Sequence, residues 1–168
     1  MDLFQEKQPD ILSVSTNLRL TKFRTIIPEA LGWYQDETML RMISRASPLA
    51  YDEARLSRMY HYLEQHGELY YIEYANKDSF VPIGDVTLCP RDLPIVIGNP
   101  AFRGNGIGTQ VIRSLAERAF TMGMHEVYVQ EIYDENTASR KAFEHCGFRK
   151  DAQTSFGHAY RLNASEFH

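Results

Sequence analysis

Three glycines at alternate positions, Gly104, Gly106 and Gly108, separate an apolar stretch ending at Asn99-Pro100 from an amphipathic one beginning near Gly106. No other segment restricts the fold of the chain so tightly. Glycine admits backbone φ values denied to other residues and lets the main chain approach a ligand closely. A glycine-rich turn feeding straight into a helix leaves the first helical amides, and the positive end of the helix dipole, aimed outward. Pro100–Gln110 therefore predicts a strand–loop–helix unit whose loop holds an anion, and a pyrophosphate suits it.

Spacing narrows the choice of phosphate ligand. The dinucleotide fingerprint G-x-G-x-x-G fails, because the sixth position counted from Gly104 is Thr109. A Walker-type loop fails too, since no lysine follows the glycines. What remains is R-x-x-G-x-G, met by Arg103, Gly106 and Gly108. A turn with no ligand is the bland alternative.

Periodicity around the loop predicts the other elements. Leu18–Phe23 alternates as a half-buried strand. Residues 26–43 have near-helical spacing, read as one or two short helices interrupted around Gln35–Glu37. Ser47-Pro48 reads as a turn with Ser47 as a helix cap. Residues 51–65 place Leu56, Met59, Tyr60 and Leu63 on one helical face, which Gly67 ends. Strands follow over 68–74 and 80–88, joined by a hairpin turn at Ala75–Asp78, and over 93–98. Residues 106–122 form a helix with Ile107, Val111, Ile112, Leu115 and Phe120 inward. A strand over 127–133, a short helix over 136–145 and two strands through Leu162 complete the order. Hairpins combined with a βαβ crossover imply an α/β (α+β) chain with a mixed sheet flanked by helices. No repeat or linker interrupts it, so residues 17–168 read as one domain behind a polar N-terminal arm, residues 1–16.

Composition excludes several classes. With 168 residues and 43% hydrophobic content the chain can bury a core. A net charge of −4 argues against a general nucleic-acid binder and tolerates a cationic substrate. No apolar run is long enough to span a membrane, and the first ten residues lack a signal-peptide pattern, so a cytoplasmic protein is expected. Cys89 and Cys146 have neither disulfide-framework nor metal-ligand spacing, and the six histidines show no paired spacing, so no metal is expected.

A second segment joins the loop. Asn136–Phe148 reads N-T-A-S-R-K-A-F-E-H-C-G-F, directly after the predicted strand over 127–133. The two segments together resemble the GNAT superfamily of N-acetyltransferases, whose patterns are R/Q-x-x-G-x-G/A and N-x-x-[AS]-x-x-x-[YF]-E-x-x-G-F. The resemblance covers nearly the whole chain, and Trp33–Glu37 is similar to the branch holding ribosomal-protein and aminoglycoside acetyltransferases. It implies a mixed, mostly antiparallel sheet of six to seven strands, about four helices and a splayed central strand pair.

It also implies acetyl-coenzyme A as cosubstrate and a small-molecule or peptide amine as acceptor. On this chain the pantetheine arm would pair with backbone near Ile97 and Gly98. The pyrophosphate would rest on the amides of Arg103, Gly104, Asn105, Gly106, Ile107, Gly108 and Thr109, with the Thr109 hydroxyl and Arg103 side chain as further donors. Asn136 would bond the pantetheine, and Ser139 and Phe143 fall on the same cofactor-facing motif; Arg140 and Lys141 are placed near the adenosine phosphates. Direct attack by the amine needs a base, for which Glu131 is the first choice, before Asp134, Glu135, Glu73 and Asp85. The leaving thiolate needs a proton, yet Phe143 stands where many relatives carry tyrosine. Tyr133, Ser139 or a water would then supply it. The resemblance admits a homodimer. A coenzyme A-binding sensor without turnover is the alternative that Phe143 keeps open.

Overall fold

A computed structural model describes residues 7–45 and 49–168; the Ser47-Pro48 turn lies outside them. The strands are β1 (Ile11–Ser15), β2 (Leu18–Lys22), β3 (Glu68–Asn76), β4 (Ser79–Leu88), β5 (Ile95–Ile97), β6 (Glu126–Tyr133), β7 (Arg149–Gln153) and β8 (Gly157–Asn163). The helices are α1 (Pro28–Trp33), α2 (Glu37–Ile43), α3 (Glu53–His66), α4 (Ile107–Thr121) and α5 (Thr137–His145).

The strands form two antiparallel sheets, ordered β1-β2-β3-β4-β5 and β6-β8-β7. β3 explains how the larger sheet is held. Its run Leu69-Tyr70-Tyr71-Ile72 is apolar on both faces because both are covered. Leu69 and Tyr71 point into a cluster with α1, α2 and α3, including Trp33, Leu40, Leu56 and Tyr60. Tyr70 and Ile72 point the other way, to Val111, Ile112 and Leu115 of α4. Beside that second cluster, Arg118 of α4 grips the buried Glu68 carboxylate at 2.7 and 2.8 Å, fastening the helix to the start of β3.

Several elements differ from the sequence expectation. Ile11–Ser15, inside the segment read as an arm, is an edge strand on β2, with Leu12 and Val14 packed toward the core. Residues 26–43 form two helices because Asp36 starts the second, its carboxylate accepting from the Thr38 amide. α3 begins at Glu53, capped by Asp52. Gly67 ends it in extended rather than left-handed backbone, and a Cβ there would lie 2.6 Å from the Leu88 carbonyl oxygen.

The break between sheets falls where the site is. Every ladder among the described residues is antiparallel, so the expected mixed sheet has no parallel ladder there. The β5–α4–β6 crossover instead joins the facing edges of the two sheets across an open gap, the splayed pair. Side chains of the segment between β4 and β5 reach across to β6: Asp92 Oδ1 accepts from its neighbour Leu93 at 3.0 Å and from the Gln130 amide at 3.2 Å, and Arg91 pairs with Glu126 at 3.6 Å. Beyond Gln130 the β6–β8 register slips between Val129 and Ile132, a bulge that re-aims Gln130 and Glu131.

Candidate active site

The glycine loop enters α4 through two left-handed residues, Gly104 at φ 78° and Gly106 at φ 76°. A Cβ at either would meet nothing within 4 Å, so the loop borders open space. The start of α4 is bare in a way that three other helices are not. Asp36, Asp52 and Asn136 cap α2, α3 and α5 with side-chain oxygens, whereas Gly106 gives α4 no such cap. The first amides of α4, at Ile107, Gly108 and Thr109, have no intrahelical acceptor and stand at the positive end of the dipole.

These residues line a cavity of about 600 Å³ beside β5. Its other walls come from β5, from α2 between Thr38 and Ile43, and from Glu135–Ser139 at the start of α5. Donor-rich backbone, no side-chain cap and empty space beside the glycines fit a diphosphate on a longer, partly apolar ligand.

Arg103 is turned away from that donor set. Its Nε donates to the Ile97 carbonyl at 2.8 Å, Nη2 to the Gly98 carbonyl at 3.2 Å, and Nη1 to Asp36 at 3.2 Å. The side chain is thus a strut joining the loop, β5 and the cap of α2. Burial alone would raise the Asp36 carboxyl, but the Arg103 bond and the Thr38 and Met39 amides hold it below the usual range.

Among the other residues singled out from sequence, Ile97, Gly104, Gly106, Ile107, Gly108, Thr109, Asn136 and Ser139 line the cavity, and Gly98, Asn105 and Phe143 do not. Gly98 supports it from behind, since a Cβ there would sit 2.1 Å from Trp33 Cγ. Phe143 is 2% exposed and meets Phe148 edge-on at 5.1 Å. Asn136 uses Oδ1 to cap α5 through the Ser139 amide. Cys146 donates its thiol to the Thr109 carbonyl at 3.3 Å, tying α5 to the first turn of α4. Burial pushes the Cys146 thiol up, and that of Cys89 up to about 12, which keeps both in the less nucleophilic thiol form.

The candidate bases are spread out. Glu131 lies in the β6 bulge and accepts from the Phe156 amide at 3.1 Å. Tyr133 accepts the Arg45 amide at 3.1 Å, which leaves its own O–H available to donate. Neither lines the cavity, whereas Glu135 does. Asp134 pairs with His158 and Glu73 with Arg19. Asp85 is sealed beneath α1 and α3, where both Tyr34 and Tyr60 donate to its Oδ2 at 2.8 Å. Burial pushes its carboxyl up to about 6 against the lowering effect of those two hydroxyls. Trp33 and Tyr34 are buried and off the cavity wall, so they act as core. The Arg103 strut and the Asp92 bridge escaped sequence reasoning, because both join residues far apart in the chain.

Comparison with known proteins follows this geometry. The family model described as Acetyltransferase (GNAT) family matches residues 36–148, from the cap of α2 to the residue before β7. A structure of spermidine N-acetyltransferase from Vibrio cholerae in complex with CoA and spermine superposes with a TM-score of 0.71 at 19% identity, over 90% of this chain and 98% of that one. A GNAT-family acetyltransferase from Bacillus anthracis gives 0.75 at 15% identity, over 93% and 99%. Aminoglycoside acetyltransferase AAC(6')-Ib with coenzyme A gives 0.67 at 14% identity, over 89% and 95%. At these identities the likeness is one of fold. No curated protein matches the chain in sequence. With its glycine loop, its splayed strands and two thirds of its length inside the family model, the chain belongs to the acetyltransferase (GNAT) family.

Proposed function

We propose that this chain transfers the acetyl group of acetyl-coenzyme A to a primary amine by direct attack in a ternary complex. The observation that carries the reading is the uncapped start of α4, opening through two left-handed glycines into the cavity walled by β5, α2 and the start of α5. The similar folds solved with coenzyme A bound support it.

The cosubstrate supplies an activated acetyl thioester; the chain's residues bind and orient. The amides of Ile107, Gly108 and Thr109 hold the diphosphate, and the Asn136 side-chain amide donates to the pantetheine arm. Arg103 occupies the Ile97 and Gly98 carbonyls, so β5 offers the cosubstrate amide donors near Ile97, one of them to the thioester oxygen. Glu131 and Tyr133 stand off the cavity wall on β6, so the attacking amine loses its proton toward Glu131, and the departing thiolate gains one from the Tyr133 hydroxyl, through intervening water. The acceptor belongs to the amines, by analogy with the spermine and aminoglycoside enzymes of this fold.

Release of free thiol from acetyl-coenzyme A across an amine panel tests the reaction. Thiol release only when an amine is present supports transfer. Tight coenzyme A binding without release on any amine would point to the sensor reading that the hydroxyl-free Phe143 leaves open.

A further inference from the structure

We propose that the Glu135 carboxylate and the Phe156 ring form a site for a second cationic group of the acceptor, which the chain's own Arg45 guanidinium fills meanwhile. Arg45 leaves α2 just past Met42 and Ile43, which line the cavity, and ion-pairs with Glu135 on the opposite wall. Its guanidinium carbon lies 5.4 Å from the centroid of Phe156, a ring left 42% exposed on the surface. A carboxylate and an aromatic face converging on one point are what recognises a guanidinium or ammonium.

The receiving side is built independently of Arg45's side chain. The Phe156 amide is fixed on Glu131, and its ring meets Tyr133 edge-on at 5.6 Å. Glu135 immediately precedes Asn136, the cap of α5, so its backbone is set by the helix start. The occupant is weakly held by contrast: the ion-pair side chains are 37% and 60% exposed, and pairs so solvated bind little. A ligand cation reaching the rim can therefore take the guanidinium's place. With the reacting amine inside the cavity, the rim selects acceptors carrying two cationic groups over monoamines. Calling the ligand an acceptor rests on the acyl-transfer reading; the cation site itself does not.

Agmatine, a primary amine with a distal guanidinium, is titrated calorimetrically into the protein at low salt, with butylamine as the monocationic control. Arg45→Gln is expected to tighten agmatine binding by about tenfold and butylamine, whose single ammonium cannot occupy the cavity and the rim together, by much less. Adding Glu135→Gln, or separately Phe156→Leu, to Arg45→Gln is expected to remove most of that gain. Unchanged agmatine affinity in Arg45→Gln, a gain kept in both double variants, or an equal gain for butylamine would each overturn the proposal. Coenzyme A is titrated separately. Failure to bind it defeats the acyl-transfer reading and leaves the agmatine result to be judged alone.

Discussion

Arg103 Nη1 donates to Asp36 at 3.2 Å, so the residue that opens the glycine loop is bonded to the one that caps α2. The cofactor wall and the helix lining the opposite side of the cavity are thereby tied to each other. Arg103→Lys keeps the charge but cannot reach the Ile97 and Gly98 carbonyls and Asp36 at once. The KM for acetyl-coenzyme A is expected to rise about tenfold, because small displacements of a positioned substrate are costly. An unchanged KM in steady-state kinetics would show that the strut does not position the loop.

Asp36 also sets a pH dependence. Its carboxyl is held low in the folded chain, so the strut's contribution is complete above the ordinary carboxylate range and disappears as pH falls through the lowered value. Asp36→Asn is expected to flatten melting temperature against pH on the acid side.

Asp85 runs the other way. Its folded value of about 6 lies above the ordinary carboxyl value of about 3.9, so the native state holds the proton more tightly than the unfolded chain. Its contribution is therefore fully present below about pH 4 and declines between pH 4 and 6, by about 3 kcal/mol for a shift of this size. In Asp85→Asn that decline is expected to vanish from the pH profile of denaturant unfolding. The same slope in both proteins would contradict the assignment.

Asp92 ties the loop between β4 and β5 to β6. Asp92→Ala removes the acceptor of the exposed Gln130 amide, at a cost of about 0.5–1.5 kcal/mol. Hydrogen exchange at Gln130 is expected to accelerate, and Asp92→Asn, which keeps a carbonyl oxygen there, to restore most of the protection. Equal exchange in Asp92→Ala would mean that the bridge carries no load.

Gly106 and Gly123 both have left-handed backbone, at φ 76° and 95°, but only Gly106 borders the cavity. Alanine at either costs about 1 kcal/mol in backbone strain. Both variants are expected to melt a few degrees lower, whereas only Gly106→Ala weakens coenzyme A binding. Equal binding in the two would separate the loop from the cofactor.

Much of this was legible in the letters, for physical reasons. Strand and helix periods set the order from Leu18 to Leu162, and the R-x-x-G-x-G spacing located the loop, because a left-handed turn into a bare helix start tolerates little but glycine. Ile11–Ser15 was harder: only Leu12 and Val14 alternate inward, and an edge strand of five residues carries a weak signal. The partners of Arg103 lay out of reach, since Asp36 is 67 positions away and pairs with it only through the fold. For the same reason Phe143 read as a cofactor residue, although its ring is packed on Phe148. Local pattern identifies backbone binding sites better than it identifies the side chains around them.

The central claim is that main-chain amides at the start of α4 hold the cosubstrate's diphosphate. Backbone amide shifts, followed by NMR while coenzyme A is added, test it most directly. The largest changes are expected from Gly104 through Thr109, with smaller ones at Asn136 and Ser139. Saturable binding that leaves Ile107, Gly108 and Thr109 unmoved would contradict it.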